Sequence, residues 1–203
     1  MKASLDKAVE VLRTGGVALL PTDTVYGLAV LPTSDRGIDR LFTLKGRPRD
    51  RNLPVMIADV TQLLGLGVEI SEAARKLITS RYFPGPITVV FGFSVRERAT
   101  WLDGRQEVAV RIPGDSVMLA VLRATGPLLV TSANPYGAAT LQTVDLILPS
   151  LTGLPDVVID DGPRHTIPST LVNCRLSPPV VEREGAVCLS EIQEIIECRR
   201  WDS

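Results

Sequence analysis

Residues 107–134 read EVAVRIPGDSVMLAVLRATGPLLVTSAN, and this stretch decides the fold class. EVAVRIP (107–113) is rich in β-branched residues and predicts a strand. SVMLAVLRATG (116–126) has apolar residues at helical spacing and stops at a glycine. PLLVTS (127–132) predicts a second strand. A strand, a helix and a strand therefore follow one another without a linker. Polar clusters, RIP and TSAN, stand where the two strands end.

The same alternation extends in both directions. Leu5, Ala8, Val9 and Leu12 recur at helical spacing, with Ser4 as the expected N-cap and Gly15-Gly16 as the stop. VALLPT (17–22) and VYGLAVLP (25–32) predict extended pieces, and SDRGIDRLFTLKG (34–46) a helix with Ile38, Leu41, Phe42 and Lys45 near one edge. PVMIAD (54–59) and ITVVFGF (87–93) predict strands, and between them SEAARKLITSRYF (71–83) predicts a helix capped by Ser71. TVDLILPSL (143–151) is expected as a short helix. DVVIDDGP (156–163), STLVNC (169–174) and PVVERE (179–184) supply three further strands. In SEIQEIIECRRW (190–201), Ser190 and Gln193 have capping-box spacing at the start of a closing helix. The pattern predicts a single α/β domain, with a mixed sheet because the last strands follow one another closely.

Composition narrows the function. The net charge is -1 and aromatic residues make up 4%, which disfavours a protein that coats nucleic acid through charge and stacking. A positive site must then be local. Cys174, Cys188 and Cys198 are far apart and form no C-x-x-C pair, which predicts reduced thiols and a cytoplasmic setting. His165 is the only histidine, so no metal site needing two imidazoles is expected. No apolar run approaches the roughly 18 residues of a membrane span. P-loop, dinucleotide, zinc-protease and nucleophile-elbow motifs are absent.

What remains is a series of polar clusters at the ends of elements: PTDTVYG (21–27), KGRP (45–48), RIP (111–113), TSAN (131–134), PST (168–170) and VERE (181–184). KGRPRDRN (45–52) is the most charged. As a solvated turn it needs no ligand, since Gly46 and Pro48 break regular structure. As an anion site it offers the point charge of Lys45 and the forked donors of Arg47.

Taken in order, LPTDTVYGL, KGRPRDRNLPV, FPGPITVVF, VAVRIP, TSAN, DDGP, PSTLVN and VEREGAV resemble the successive blocks of the YrdC family over about residues 5–187. The resemblance implies a short form with one domain over 1–203 and a closing helix at about 190–201. Its fold would be a twisted mixed sheet with flanking helices and a positively charged concave cleft. The implied activity is that of an L-threonylcarbamoyladenylate synthase, a nucleotidyltransferase that makes threonylcarbamoyl-AMP and pyrophosphate from L-threonine, bicarbonate and ATP. The product serves N6-threonylcarbamoyladenosine modification of ANN-decoding tRNA. Mg2+ is expected with ATP, without a protein metal site. Downstream threonylcarbamoyl-transfer proteins are implied partners, and tRNA a candidate one.

Carried over block by block, the resemblance assigns Lys45 and Arg47 to catalysis. It places Lys45, Arg47, Asn134 and Arg183 on ATP, and Thr24, Ser132 and Ser169 on threonine. Arg111 is expected in the same cleft with its ligand unassigned. The chain departs from the family pattern at Met56, where some members have a histidine, at Tyr136, where serine is usual, and at Asp161, where glycine is typical. Two alternatives stay open: an RNA-binding module without catalysis, and a relative that adenylates a different carbamate.

Overall fold

The structure, a computed structural model, describes residues 2–93 and 98–198. Its strands are β1 (Ala18–Leu20), β2 (Gly27–Val30), β3 (Val55–Met56), β4 (Ile87–Gly92), β5 (Glu107–Arg111), β6 (Leu128–Ser132), β7 (Val157–Val158), β8 (Thr170–Asn173) and β9 (Val180–Arg183). Its helices are α1 (Lys2–Arg13), α2 (Asp35–Lys45), α3 (Thr61–Gly65), α4 (Glu72–Ile78), α5 (Ser116–Thr125), α6 (Val144–Ile147) and α7 (Leu189–Glu197). These strands form one mixed sheet in the order β7-β1-β2-β6-β3-β5-β4-β8-β9. Three pairs are parallel (β1 with β7, β3 with β5, β4 with β8) and the other five are antiparallel.

The period of two along each strand divides the apolar residues between two faces. Val17, Leu19, Leu28, Val30, Val55, Leu129, Val110, Val89 and Phe91 point to one face. There they pack with Leu41 and Phe42 of α2, Leu77 of α4 and Ile192 of α7. Ala18, Leu20, Ala29, Met56, Leu128 and Val130 point to the other face, under Ala8 and Leu12 of α1 and Val117, Met118, Val121 and Leu122 of α5. The first layer runs under both halves of the sheet. The second covers only the half built from β1, β2, β6 and β3. Beyond it, the face of β5, β4 and β8 carries Arg111, Ala109, Thr88, Val90 and Leu171, and these line a cleft.

Helix signals are partly where the sequence puts them. Ser34 caps α2 by accepting from the Gly37 amide, and Gly46 closes it with φ 58°, a conformation that favours glycine. Ser71 caps α4 in the same way, accepting from Ala74. Two expectations are corrected. Ser4 lies inside α1, which already runs from Lys2. The capping box of α7 is formed by Cys188 and Glu191, not by Ser190 and Gln193, because the helix starts at Leu189. α7 ends at Glu197 with Cys198 as its cap, while the expected continuation to 201 falls outside the described residues. α3 was not expected. It is one short turn, too brief to show helical periodicity.

Candidate active site

The open half of the sheet forms the floor of a cleft of about 500 Å³. The turn after β1, the segment after α2, and residues 168–169 and 182–183 supply its walls. Thr24, Arg47, Arg111, Ser132, Ser169 and Arg183 all line it, although they come from separate parts of the chain. Five arginines (Arg47, Arg51, Arg105, Arg111 and Arg183) and three carboxylates (Asp50, Glu107 and Glu182) face the same space.

Arg111 is the organising group. It ends β5 with its side chain on the open face and is only 3% exposed. A buried guanidinium must have its donors satisfied. Nε donates to the Gly85 carbonyl at 2.9 Å, Nη1 to Thr24 Oγ1 at 2.9 Å and Nη2 to Asp23 Oδ1 at 2.8 Å. Burial pulls Arg111 below the ordinary arginine value, and the neighbouring Asp23 carboxylate opposes that shift.

The threonine pair beside Arg111 has a defined proton inventory. Thr22 Oγ1 donates to the Val25 carbonyl at 2.6 Å and accepts from the Thr24 amide at 3.2 Å. Thr24 Oγ1 already accepts from Arg111, so its own proton is what it has left to offer. That proton can go to Thr22 Oγ1, 3.2 Å away, or to an acceptor in the cleft. Thr24 is thus poised as a donor.

Ser169 pairs with Thr88 of β4 across 2.7 Å, and one of the two hydroxyls retains a proton for another acceptor. The Ser169 carbonyl accepts from Arg183 Nε at 3.2 Å and Nη2 at 2.8 Å. This contact brings Arg183 from β9 over the cleft. It depends on Gly185, where a Cβ would lie 2.3 Å from the Pro168 carbonyl. Thr170 Oγ1 locks the turn by donating to the Val187 carbonyl at 2.6 Å and accepting from the Gly185 and Val187 amides at 3.0 Å. Burial lowers Arg183 from its ordinary value, and the charge of Arg111 across the cleft lowers it further.

The sequence-selected residues do not all meet in the cleft. Lys45 and Asn134 are not among its lining residues. Lys45 ends α2 and is buried behind the wall, where its ammonium donates to the Ser132 carbonyl and, at 2.6 Å, to that of Asn134. Burial, and then the nearby charge of Arg47, pull it down to about 8. Asn134 Nδ2 bonds locally, to the Pro135 carbonyl at 3.0 Å and that of Ala138 at 2.7 Å. Its Oδ1 is buried without a partner among the described residues. Arg47 does reach the cleft, with Nη2 on the Asn52 carbonyl at 3.1 Å.

The Sua5/YciO/YrdC family model, described as "Telomere recombination", matches residues 10–185. The chain belongs to this family. It is 33% identical over 187 residues to threonylcarbamoyl-AMP synthase of Pyrococcus abyssi, a match covering 91% of this chain and 55% of the relative. It is 32% identical over 197 residues to that of Bacillus subtilis, covering 94% and 56%. The chain therefore spans little more than half the length of these curated relatives. A crystal structure of P. abyssi Sua5 complexed with L-threonine superposes with a TM-score of 0.86 at 31% identity, covering 97% of this chain and 58% of that one. The twisted mixed sheet with flanking helices is that of the Sua5 and YciO structures.

Within this Sua5/YciO/YrdC frame, Asp23 and Thr88 were missed by sequence reading. Asp23 sits inside the PTDTVYG block, but its role depends on Arg111, a residue distant in sequence. Thr88 carried a readable signal: it is the polar residue at an alternate position of an otherwise apolar strand.

Proposed function

We propose that the chain makes threonylcarbamoyl-AMP from L-threonine, bicarbonate and ATP, as a nucleotidyltransferase working in the cytoplasm. The observation that carries this reading is the convergence of Thr24, Ser132, Ser169, Arg111 and Arg183 on one cleft. Curated relatives over nearly this whole chain bear the name of that synthase.

The chemistry asks for such a site. The threonine amine condenses with bicarbonate to a carbamate, releasing water, and a carbamate oxygen then attacks the α-phosphorus while pyrophosphate leaves. The attacking and departing groups are both anions, so fixed cations and donors must hold them in line. Thr24, Ser132 and Ser169 would hold the amino acid. Arg111 occupies a lone pair of Thr24 Oγ1 and leaves its proton for Thr22 or for the substrate. Arg47 and Arg183 would take the polyphosphate from two sides of the cleft. Lys45 would secure the 132–134 turn that carries the nucleotide contact Asn134. Mg2+ would be carried on the nucleotide rather than in a dedicated protein cage. When bound there, the ion neutralises polyphosphate charge.

Mass spectrometry of the product after incubation with ATP, Mg2+, bicarbonate and each amino acid tests the assignment. Threonine should lead. Serine should follow, weaker by about 1 kcal/mol for the lost methyl group. Valine should fail, because it leaves the hydroxyl partners unpaired. Equal turnover with valine, or with carbamoyl phosphate in place of threonine and bicarbonate, would overturn it.

A further inference from the structure

Tyr136 lies beside Arg47 at the edge of the cleft. Its backbone amide donates to the carbonyl of Lys45 at 2.8 Å, which fixes the 134–138 turn to the last residue of α2. From there the ring faces Arg47, with the guanidinium carbon 5.7 Å from the ring centroid. Among the described residues, that guanidinium also donates to two main-chain carbonyls of its own loop, Arg51 at 3.4 Å and Asn52 at 3.1 Å. The Arg47 amide is tied to α2 by its bond to the Phe42 carbonyl at 3.0 Å, but both acceptors of the guanidinium lie in residues 51–52. Tyr136 adds a contact from outside that segment, because its turn is bonded to α2 and follows directly from β6.

We infer that Tyr136 is a positioning residue for Arg47, holding the guanidinium over the cleft before a nucleotide arrives. The inference rests on the proposed function only in taking Arg47 as a ligand of ATP phosphate. A π-face attracts a guanidinium without taking any of its N–H donors, so Nη1, which neither loop carbonyl engages, stays available to phosphate, whereas a carboxylate partner would consume donors. Tyr136 is 44% exposed, so the contact orients the group without closing the site. Tyr136 therefore acts on the nucleotide side of the cleft, not on the threonine side.

The test is calorimetric binding of Mg-ATP to the full chain, with steady-state pyrophosphate release in parallel. Tyr136→Ala should raise the Kd for ATP about two- to fivefold, the range of an exposed cation–π contact, and leave the KM for threonine unchanged. Tyr136→Phe keeps the ring and should restore the affinity. In an Arg47→Ala background, Tyr136→Ala should have no further effect. An unchanged Kd in Tyr136→Ala, a loss in Tyr136→Phe equal to that in Tyr136→Ala, or an undiminished effect without Arg47 would each overturn the positioning role. The last of these would mean that Tyr136 meets the nucleotide itself. Failure of the unaltered chain to bind ATP would instead bring down the functional reading and this inference with it.

Discussion

One face of the sheet is used in two ways. Under α1 and α5, strands β1, β2, β6 and β3 present Ala18, Leu20, Ala29, Met56, Leu128 and Val130, all buried. On β5, β4 and β8 the same pleat presents Arg111, Thr88 and Leu171 with Ser169 alongside, and no helix among the described residues lies over them. The alternation is identical; the side chains differ. Small and branched apolar groups accept a helix because they bury without unpaired polar atoms. Thr88, Ser169 and Arg111 would each demand a partner under a helix. Thr88 and Ser169 pair with each other, Arg111 is satisfied by Gly85, Thr24 and Asp23, and the face stays open to a ligand. The site is centred on the part of the sheet that the core leaves open and reaches the covered half only at its edge, where Met56 and Val130 also line the cleft.

Substitutions on the two halves should fail in different ways. The largest effect is expected for Arg111→Ala, which leaves Asp23 without its ion-pair partner at a poorly exposed site. Breaking such a pair costs about 3–5 kcal/mol, so the denaturation midpoint should fall sharply and threonine-dependent turnover should be lost. Under α5, Leu122→Ala removes a fully buried side chain and should cost about 2–5 kcal/mol in the same denaturation experiment. Its KM values below the unfolding transition should stay unchanged, because the change lies in the covered half. Ser169→Ala should cost only about 1 kcal/mol of stability for a lost hydrogen bond, yet raise the KM for threonine measurably. If Ser169→Ala altered stability alone, or Leu122→Ala altered KM alone, the contrast between the halves would fail.

A smaller effect concerns pH and the base of the cleft wall. Lys45 is held at about 8 against an ordinary 10.5, so above pH 8 the unfolded chain binds more protons than the folded one. Its contribution to stability therefore rises with pH from about 8 toward 10.5. Cys174, pushed up to about 12 from 9.0, acts in the opposite sense above pH 9. Between pH 8 and 9 the Lys45 effect should stand alone of these two. Comparing denaturation midpoints of the unaltered chain and Lys45→Met across that interval should show a positive slope only with lysine present.

The strands, the long helices and the polar blocks were legible because each depends on local periodicity or on caps, as with Ser34 and Ser71. The α7 cap was misplaced by two residues because a cysteine, not a serine, supplies it. The sheet order was not legible. β5 and β6 frame one helix in sequence but are separated in the sheet by β3, a pairing that only long-range packing decides. For the same reason, nothing in the sequence tells which half of the face stays uncovered, or that Asp23 answers Arg111. Lys45 and Asn134 show the reverse difficulty. Their blocks were found, but their side chains are engaged by nearby carbonyls, and a one-dimensional pattern carries no direction.

The most direct measurement is a crystal structure of the chain grown with L-threonine and a non-hydrolysable ATP analogue. The account predicts ligand density against the β4–β5–β8 face, with the amino acid within hydrogen-bonding distance of Thr24 and Ser169 and the phosphates between Arg47 and Arg183. Threonine seated elsewhere on the chain, or phosphates bound away from both arginines, would contradict it.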